Sequence, residues 1–160
     1  MASDNFGPFV TAIVGAATVL FTLNTLRRND FERARELHGE LTSGPVADAR
    51  HVVGSAFEDP ARGKDVSLTK EEIQALFAVL WCFERIDVAR STMLGRWRKG
   101  PRWINPRRAL DESIRNHVRI YLSYLHRAHI NGVPLHSTLT AAEDDAGLTR
   151  LGKRLGLTQP

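Results

Sequence analysis

The pattern of apolar and polar positions along the chain begins with a long uncharged segment, residues 9–26 (FVTAIVGAATVLFTLNTL). As an α-helix it would extend about 27 Å, close to the hydrocarbon thickness of a bilayer. Arg27 and Arg28 follow the segment directly, whereas Asp4 is the only charged side chain before it. The positive-inside rule therefore predicts an uncleaved anchor in the cytoplasmic membrane, with the amino terminus outside and the rest of the chain in the cytoplasm. The alternative interpretation is a helix buried in a protein core.

Small and hydroxyl-bearing residues of this segment follow one helix face. They recur at spacings of 4, 3, 4 and 3 residues: Thr11, Gly15, Thr18, Thr22 and Thr25. Small residues let membrane helices approach closely, and hydroxyls bond across the contact, so this face is predicted to associate with a second copy or with a partner span. The alternative is that each hydroxyl bonds a carbonyl of its own helix.

Helical periodicity dominates the rest of the chain, and almost no segment shows the alternation of a strand. Residues 29–42 are predicted to form a charged helical stalk, and Ser43 to cap a short helix over 46–57. Thr69 and Glu72 have the spacing of a capping box that begins a helix running to about Leu94. Because its segment 75–83 (ALFAVLWCF) is apolar all round, this helix is predicted to be the buried centre of the domain.

Two further helices are predicted in the last third of the chain. Asn105 and Pro106 begin the first, which ends near Asn131 and Gly132, and the second covers roughly 140–155. The inner stripe of the first comprises Leu110, Ile114, Val118, Tyr121, Leu125 and Ala128. The predicted fold is all-α: an anchor at 1–28, a stalk at 29–42 and a cytoplasmic helical domain of four or five helices at 43–160.

Composition narrows the function classes. The chain has 160 residues, 42% of them hydrophobic, with a formal net charge of +4 and one cysteine, Cys82. A globular core is feasible, while a disulfide framework and a CxxC metal site are excluded. Glycine-rich phosphate loops, nucleophile elbows and HExxH motifs are missing from the sequence. We therefore expect no enzyme activity, catalytic residue, cofactor or metal.

The densest chemical signal is a basic loop with interleaved tryptophans, residues 95–108. Its candidate lipid- or phosphate-binding residues are Arg96, Trp97, Arg98, Lys99, Arg102, Trp103, Arg107 and Arg108. Next to a cytoplasmic leaflet these side chains would bind anionic headgroups. Without an anchor they would instead contact nucleic-acid phosphates and stack on exposed bases. The third interpretation is a solvated connection whose tryptophans cap the core.

Acids on the long central helix form the second candidate group. Glu84 and Asp87 follow the apolar run, and a partly buried carboxylate needs a partner. The candidate partners on the next long helix are Arg115, His117 and Arg119. We expect structural ion pairing, since the Glu-x-x-His motifs of a di-iron site are missing.

Histidines near the carboxyl end are the remaining candidates for chemistry. His126 and His129 are spaced to share a helix face, but a third ligand on that helix is missing, so surface or capping roles are expected. Cys82 lies within the apolar run and is expected to be inert packing.

The arrangement resembles a group of small bacterial membrane-anchored helical proteins of unknown function. The residues that carry the resemblance are Leu26-Arg27-Arg28, the stalk from Glu32 to Leu41, and the segment 80–85 (LWCFER). The resemblance implies an amino-terminal span leading through a charged stalk into a compact cytoplasmic helical domain, and it implies no catalytic residues.

These observations favour a non-enzymatic, membrane-tethered adaptor or accessory subunit that binds a protein partner, with anionic lipid as a second ligand. The alternative function is a soluble basic helical protein that binds nucleic acid. A third hypothesis, an enzyme using Glu84, Asp87 and His117, has the least support.

Overall fold

The computed structural model describes residues 6–93, 105–135 and 147–157, with side chains from Thr11 onward. These ranges are mostly helical, which confirms the all-α class. The helices are α1 (Phe6–Thr42), α2 (Gly44–Glu58), α3 (Lys70–Thr92), α4 (Pro106–Arg127) and α5 (Gly147–Arg154). A single 3-10 turn, Pro60–Arg62, follows α2. Three very short strands, which the sequence did not predict, are β1 (Val66–Ser67), β2 (Ala128–Ile130) and β3 (Val133–Pro134).

The predicted anchor and stalk belong to one unbroken helix, α1. Ala34, Leu37 and Leu41 of its last part are buried in the common hydrophobic core. Their spacing places them on one helix face, which packs against α4 and α2. The segment predicted as a stalk is therefore partly an element of the bundle itself.

The corner between α1 and α2 differs from the predicted cap. Gly44 takes φ +63°, the left-handed region that favours glycine, and Pro45 follows in the first turn of α2. Ser43 has the extended backbone of an N-cap, but its hydroxyl donates to the Gly39 carbonyl at 2.6 Å. The prediction that Ser43 caps α2 with its side chain is therefore wrong.

The predicted capping box begins α3. Glu72 N–H donates to the Thr69 hydroxyl at 3.3 Å, and Thr69 N–H donates to the Glu72 carboxylate at 2.8 Å. The apolar run is not buried all round, however. Phe83 is fully buried, whereas Phe77 is 44% exposed and Trp81 69% exposed. The prediction of a helix buried on every side is wrong, because α3 lies at the surface of the bundle and presents one face outward.

Helix α4 begins as predicted, at the Asn105 cap. The Asn105 side chain accepts from Arg108 N–H at 3.1 Å, and every member of the predicted inner stripe is buried. The helix ends at Arg127, earlier than predicted, and the chain continues as β2. Asn131 and Gly132 both have positive φ, which is the requirement of a type I′ turn, and they join β2 to antiparallel β3. Strand β1 pairs with β2 in parallel.

Side-chain contacts fix the directions of the long helices. Arg90 of α3 pairs with Asp111 of α4, and Phe83 packs against Tyr121, so these two helices run antiparallel. Arg33 donates to the Thr92 hydroxyl at 3.4 Å, and Arg85 donates to Glu40 at 2.5 Å, so α1 runs antiparallel to α3 as well. The amino-terminal part of α1 consequently extends past the end of α3 that carries Thr92.

Candidate functional site

The first part of α1 stands apart from the bundle. Every residue of the range 11–22 is exposed on the helix, and the helix contacts that bury other apolar residues begin only towards residue 34. The large apolar side chains exposed there are Ile13, Val14, Val19, Leu20, Phe21 and Leu26. They point to several sides of the helix, so the surface that they form is apolar around most of its circumference.

Over residues 11–93, 105–135 and 147–157, no helix is both long enough and apolar enough to cross a membrane.

Hydroxyl groups of the threonine face bond to their own helix. Thr18 donates to the Val14 carbonyl at 2.8 Å, and Thr22 donates to the Thr18 carbonyl at 2.9 Å. Thr25 makes the same contact with Phe21 at 3.0 Å. A Cβ added at Gly15 would meet nothing within 4 Å, so this face is open. In the single chain these hydroxyls thus bond to carbonyls of their own helix, which is the alternative interpretation given above. Association through the threonine face stays a prediction.

Basic side chains gather at the end of the bundle from which this part of α1 emerges. Arg27, Arg28, Arg33 and Arg35 belong to α1. Arg107 and Arg108 belong to the first turn of α4. Because α1 and α4 both run antiparallel to α3, the start of α4 lies at the same end as the emerging helix. This end is called the basic end below, and it is defined by these six residues.

Most of the predicted basic loop lies outside the described residues. This applies to Arg96, Trp97, Arg98, Lys99, Arg102 and Trp103. Met93 and Asn105, the described residues on either side of that segment, both lie at the basic end. The structure therefore places Arg107 and Arg108 at the same end of the bundle as the arginines of α1, which the sequence did not predict.

Two ion pairs of the basic end join residues on the same helix and are exposed to solvent. Arg28 pairs with Glu32 at 3.1 Å, and Arg108 pairs with Glu112 at 3.0 Å, each four residues apart on its helix. Such pairs contribute only about 0.3–0.5 kcal/mol each, because water screens the charges. Replacing either of these two carboxylate contacts by a contact with another anion accordingly costs little.

The acids on α3 are paired, but with different partners from those predicted. Arg150 of α5 donates to Asp87 at 2.8 Å and also to Glu84, and Arg154 donates to Asp87. The Asp87 side chain is only 4% exposed, so these bonds compensate its loss of water. The interaction between Asp87 and Arg150 raises the pKa of the guanidinium. The cluster is a structural clasp that holds α5 on α3.

The partners predicted on α4 make other contacts. Arg115 donates to the Leu155 carbonyl at 2.8 Å, Arg119 is exposed, and His117 lies 3.1 Å from Arg50. The predicted pairing of the α3 acids with these three residues is therefore wrong, and Arg150 is the observed partner of Glu84. The reason is that α5, and not α4, covers this face of α3: Gly147 lies so close that a Cβ there would be 2.6 Å from the Glu84 Cα.

Metal chemistry gains no support in the described ranges. His126 belongs to α4 and His129 to β2, so the two do not share a helix face as predicted. Within residues 6–93, 105–135 and 147–157, no group of three or more His, Cys, Asp or Glu is placed to hold a metal ion. Cys82 is buried, and burial raises the pKa of its thiol to about 11, which leaves it protonated near neutral pH.

An exposed apolar stripe on α3 is the feature that the sequence analysis missed. Phe77, Trp81 and Val88 lie on one face, with Val88 54% exposed, and Glu84 lies between the last two. Residues 77, 81, 84 and 88 are separated by 4, 3 and 4 positions, which is the spacing of residues at a contact between two helices. This spacing was a signal available in the sequence, but the all-apolar segment around it concealed which face is outward.

Comparison of the chain with protein-family models, with curated proteins and with solved structures found no match. Three features of the molecule accordingly bear on its function: the basic end, the projecting half of α1 and the stripe on α3.

Proposed function

We propose that this chain is a membrane-tethered, non-enzymatic adaptor or accessory subunit, anchored by residues 9–26 with its bundle in the cytoplasm. The observation that carries the proposal is the projecting half of α1. Its apolar side chains point to several sides of an isolated helix, and an exposed apolar surface of this kind marks a binding site. A partner helix would cover one stripe, whereas lipid covers all sides.

The hydrogen bonds of the threonine hydroxyls also suit a lipid environment. In lipid every polar group needs a partner within the protein, and the hydroxyls of Thr18, Thr22 and Thr25 have one in their own helix. The proposed anchor also includes Phe9 and Val10, whose side chains lie outside the described residues.

The basic end supplies the second support. Its arginines lie at the end of the bundle from which the projecting helix emerges, where an anionic leaflet surface would lie if residues 9–26 were in a bilayer. Each basic residue near such a surface contributes about 1 kcal/mol of attraction. We propose that this end rests on the inner leaflet.

The protein-binding role is assigned to the apolar stripe on α3. Phe77, Trp81 and Val88 expose apolar side chains along one face of α3, which is interrupted at Glu84. Two ion pairs accompany these side chains, Arg150 with Glu84 within the stripe and Arg85 with Glu40 next to it. An apolar centre with a charged rim is the usual composition of a protein interface.

Alkaline carbonate extraction tests the tether. Membranes from cells that express the full chain should retain it at high pH, whereas residues 27–160 should be released. A variant with Val14→Arg and Leu20→Arg carries two charges in the middle of the segment, each costing about 2.5–3.5 kcal/mol in a bilayer, and should also be released. Equal release of the full chain and of residues 27–160 would contradict the anchor. Salt-sensitive binding of the released protein to RNA or DNA would then favour the nucleic-acid alternative.

A further inference from the structure

One guanidinium, that of Arg50, joins three helices at the corner where α1 ends and α2 begins. Arg50 of α2 donates from Nη1 to the Leu41 carbonyl at 2.9 Å, in the last turn of α1. Its Nη2 lies 3.1 Å from Nδ1 of His117 on α4. Because the last carbonyls of a helix have no partner within the helix, the first of these bonds also caps α1. The contact with His117 extends that cap across to α4.

The chemistry of arginine fixes the protonation state of His117 in this contact. A guanidinium has hydrogen-bond donors only, so the imidazole must accept through the lone pair of Nδ1 and carry its proton on Nε2. A doubly protonated imidazolium has no lone pair to offer. Protonation of His117 would therefore break the bond and place a second cation against Arg50.

Nearby groups do not compensate such a second charge. The His38 ring lies with its centroid 6.3 Å from that of His117 and offers no negative charge. The charged and titratable groups around the contact are His38 and Glu40 of α1, Arg50 of α2, Cys82 and Arg85 of α3, and Tyr121 of α4. The one acid of this set, Glu40, is bound to Arg85 at 2.5 Å.

The hydrogen bonds of Arg50 go to the Leu41 carbonyl and to His117. Its Nε is buried without a hydrogen-bond partner among the described residues. Loss of the His117 contact would leave a larger part of a half-buried guanidinium unpaired, and an unsatisfied buried donor costs about 1–3 kcal/mol.

We propose that the Arg50–His117 contact is an acid-sensitive joint, which releases the corner between α1 and α2 from α4 when the imidazole takes up a proton. The joint lies at the carboxyl-terminal end of α1, so its opening would loosen the bundle's hold on the helix that projects from its other end. The inference depends on the fold alone and not on the proposed tether.

The direction of the pH dependence follows from the environment of His117. Burial, with Arg50 and His38 contributing, lowers the pKa of His117 below its ordinary value. The closed joint therefore binds a proton less readily than the open one, in which water solvates the ring. Its stability is complete well above pH 6.5 and declines as the pH falls below that value, by at most about tenfold in the closed-to-open ratio per pH unit.

Two measurements on the full chain in detergent micelles test the joint. NMR titration of the imidazoles should give His117 a pKa below the ordinary histidine value, and Arg50→Met should raise it. Hydrogen exchange between pH 8 and pH 5, corrected for intrinsic rates, should show protection of residues 38–50 falling at least tenfold towards pH 5. Protection within α5 should change less.

Variants separate the joint from general acid effects. His117→Asn keeps an acceptor oxygen near the Nδ1 position but cannot titrate, so its corner should lose protection less than threefold over the same range. His38→Gln is the matched control and should keep the acid response. An undiminished response in His117→Asn would overturn the proposal. If that variant does not fold, titration of wild-type His117 at or above its ordinary pKa would overturn it equally.

Discussion

Phe77 and Phe83 lie within two turns of each other on α3, yet their environments are opposite. Phe83 is fully buried and packs against Tyr121, with ring centroids 5.6 Å apart. Phe77 is 44% exposed and belongs to the stripe proposed to meet a protein partner. The same residue type on one helix therefore serves stability at one position and is available for binding at the other.

Truncation of the two phenylalanines should show this difference. Phe83→Ala removes a buried ring and leaves a cavity, so the free energy of unfolding should fall by about 3–5 kcal/mol. Phe77→Ala should change it by no more than about 0.5 kcal/mol, as is usual for surface positions. Urea unfolding followed by circular dichroism measures both. Similar large losses for the two variants would mean that Phe77 is covered in the native molecule.

Sequence patterns predicted contacts between near neighbours well and distant pairings poorly. The capping box of Thr69 and Glu72 needs a spacing of three residues, which can be read directly from the chain. Asp87 was recognised as an acid in need of a partner, but Arg150 is 63 residues away along the chain. Which cation reaches a buried carboxylate depends on which helix packs over it, and spacing within one helix does not contain that information.

At the scale of the element, the start of α3 is held by one carboxylate. Glu72 accepts from Thr69 N–H at 2.8 Å and from Arg62 Nη1 at 2.9 Å, so it connects the cap of α3 to the turn that precedes β1. The Arg62 hydrogen bond lowers the pKa of Glu72, and the bond from Thr69 acts in the same direction against the opposing effect of burial.

This lowered pKa predicts how acid affects the molecule. A carboxyl with a depressed folded-state pKa contributes stability above its unfolded-state pKa of about 4.3, and that contribution disappears as the pH falls through the folded-state pKa. Glu72→Gln should therefore lower the urea midpoint at pH 7 but have a smaller effect at pH 3. Glu71→Gln, at the exposed neighbouring position, is the control. Equal differences from wild type at both pH values would contradict the role of the ionised carboxylate.

Element type and order were predicted from periodicity, whereas the strands were not. Strands of two or three residues are too short to show an alternating pattern, and Asn131-Gly132 fits a helix end as well as a hairpin turn. The outward face of α3 also escaped prediction, because a run of apolar residues does not reveal which of them a neighbouring helix covers.

At the scale of the whole molecule, the basic end unites segments that are distant in sequence. Arg27 and Arg28 are separated from Arg107 and Arg108 along the chain by α2, the 3-10 turn, β1 and α3. Each cluster is visible in the sequence as a local excess of basic residues. Both clusters lie at the end of the bundle from which the projecting helix emerges, because α1 and α4 pack antiparallel to α3. Only the structure supplies that packing.

Vesicle binding should report the charge of this end. We expect residues 27–160, once shown to keep their helical content, to bind vesicles containing anionic lipid more tightly than neutral vesicles, and to lose the preference as salt rises. Arg107→Gln with Arg108→Gln removes two charges, about 2 kcal/mol, and should weaken anionic binding about thirtyfold. Lys64→Gln with Lys70→Gln, at the other end of the bundle, should have little effect. Equal weakening by both pairs would indicate attraction by net charge alone.

Because α1 is one unbroken helix, the face that packs on the bundle fixes the direction in which the threonine face points. Each residue of an α-helix advances about 1.5 Å and turns about 100°. One residue inserted between Thr25 and Ala34 would turn the threonine face by more than a quarter of a circle relative to the bundle, whereas seven would turn it by only about 20°. The number of residues between these two positions therefore decides which flank of the bundle faces a second helix lying along the threonine face.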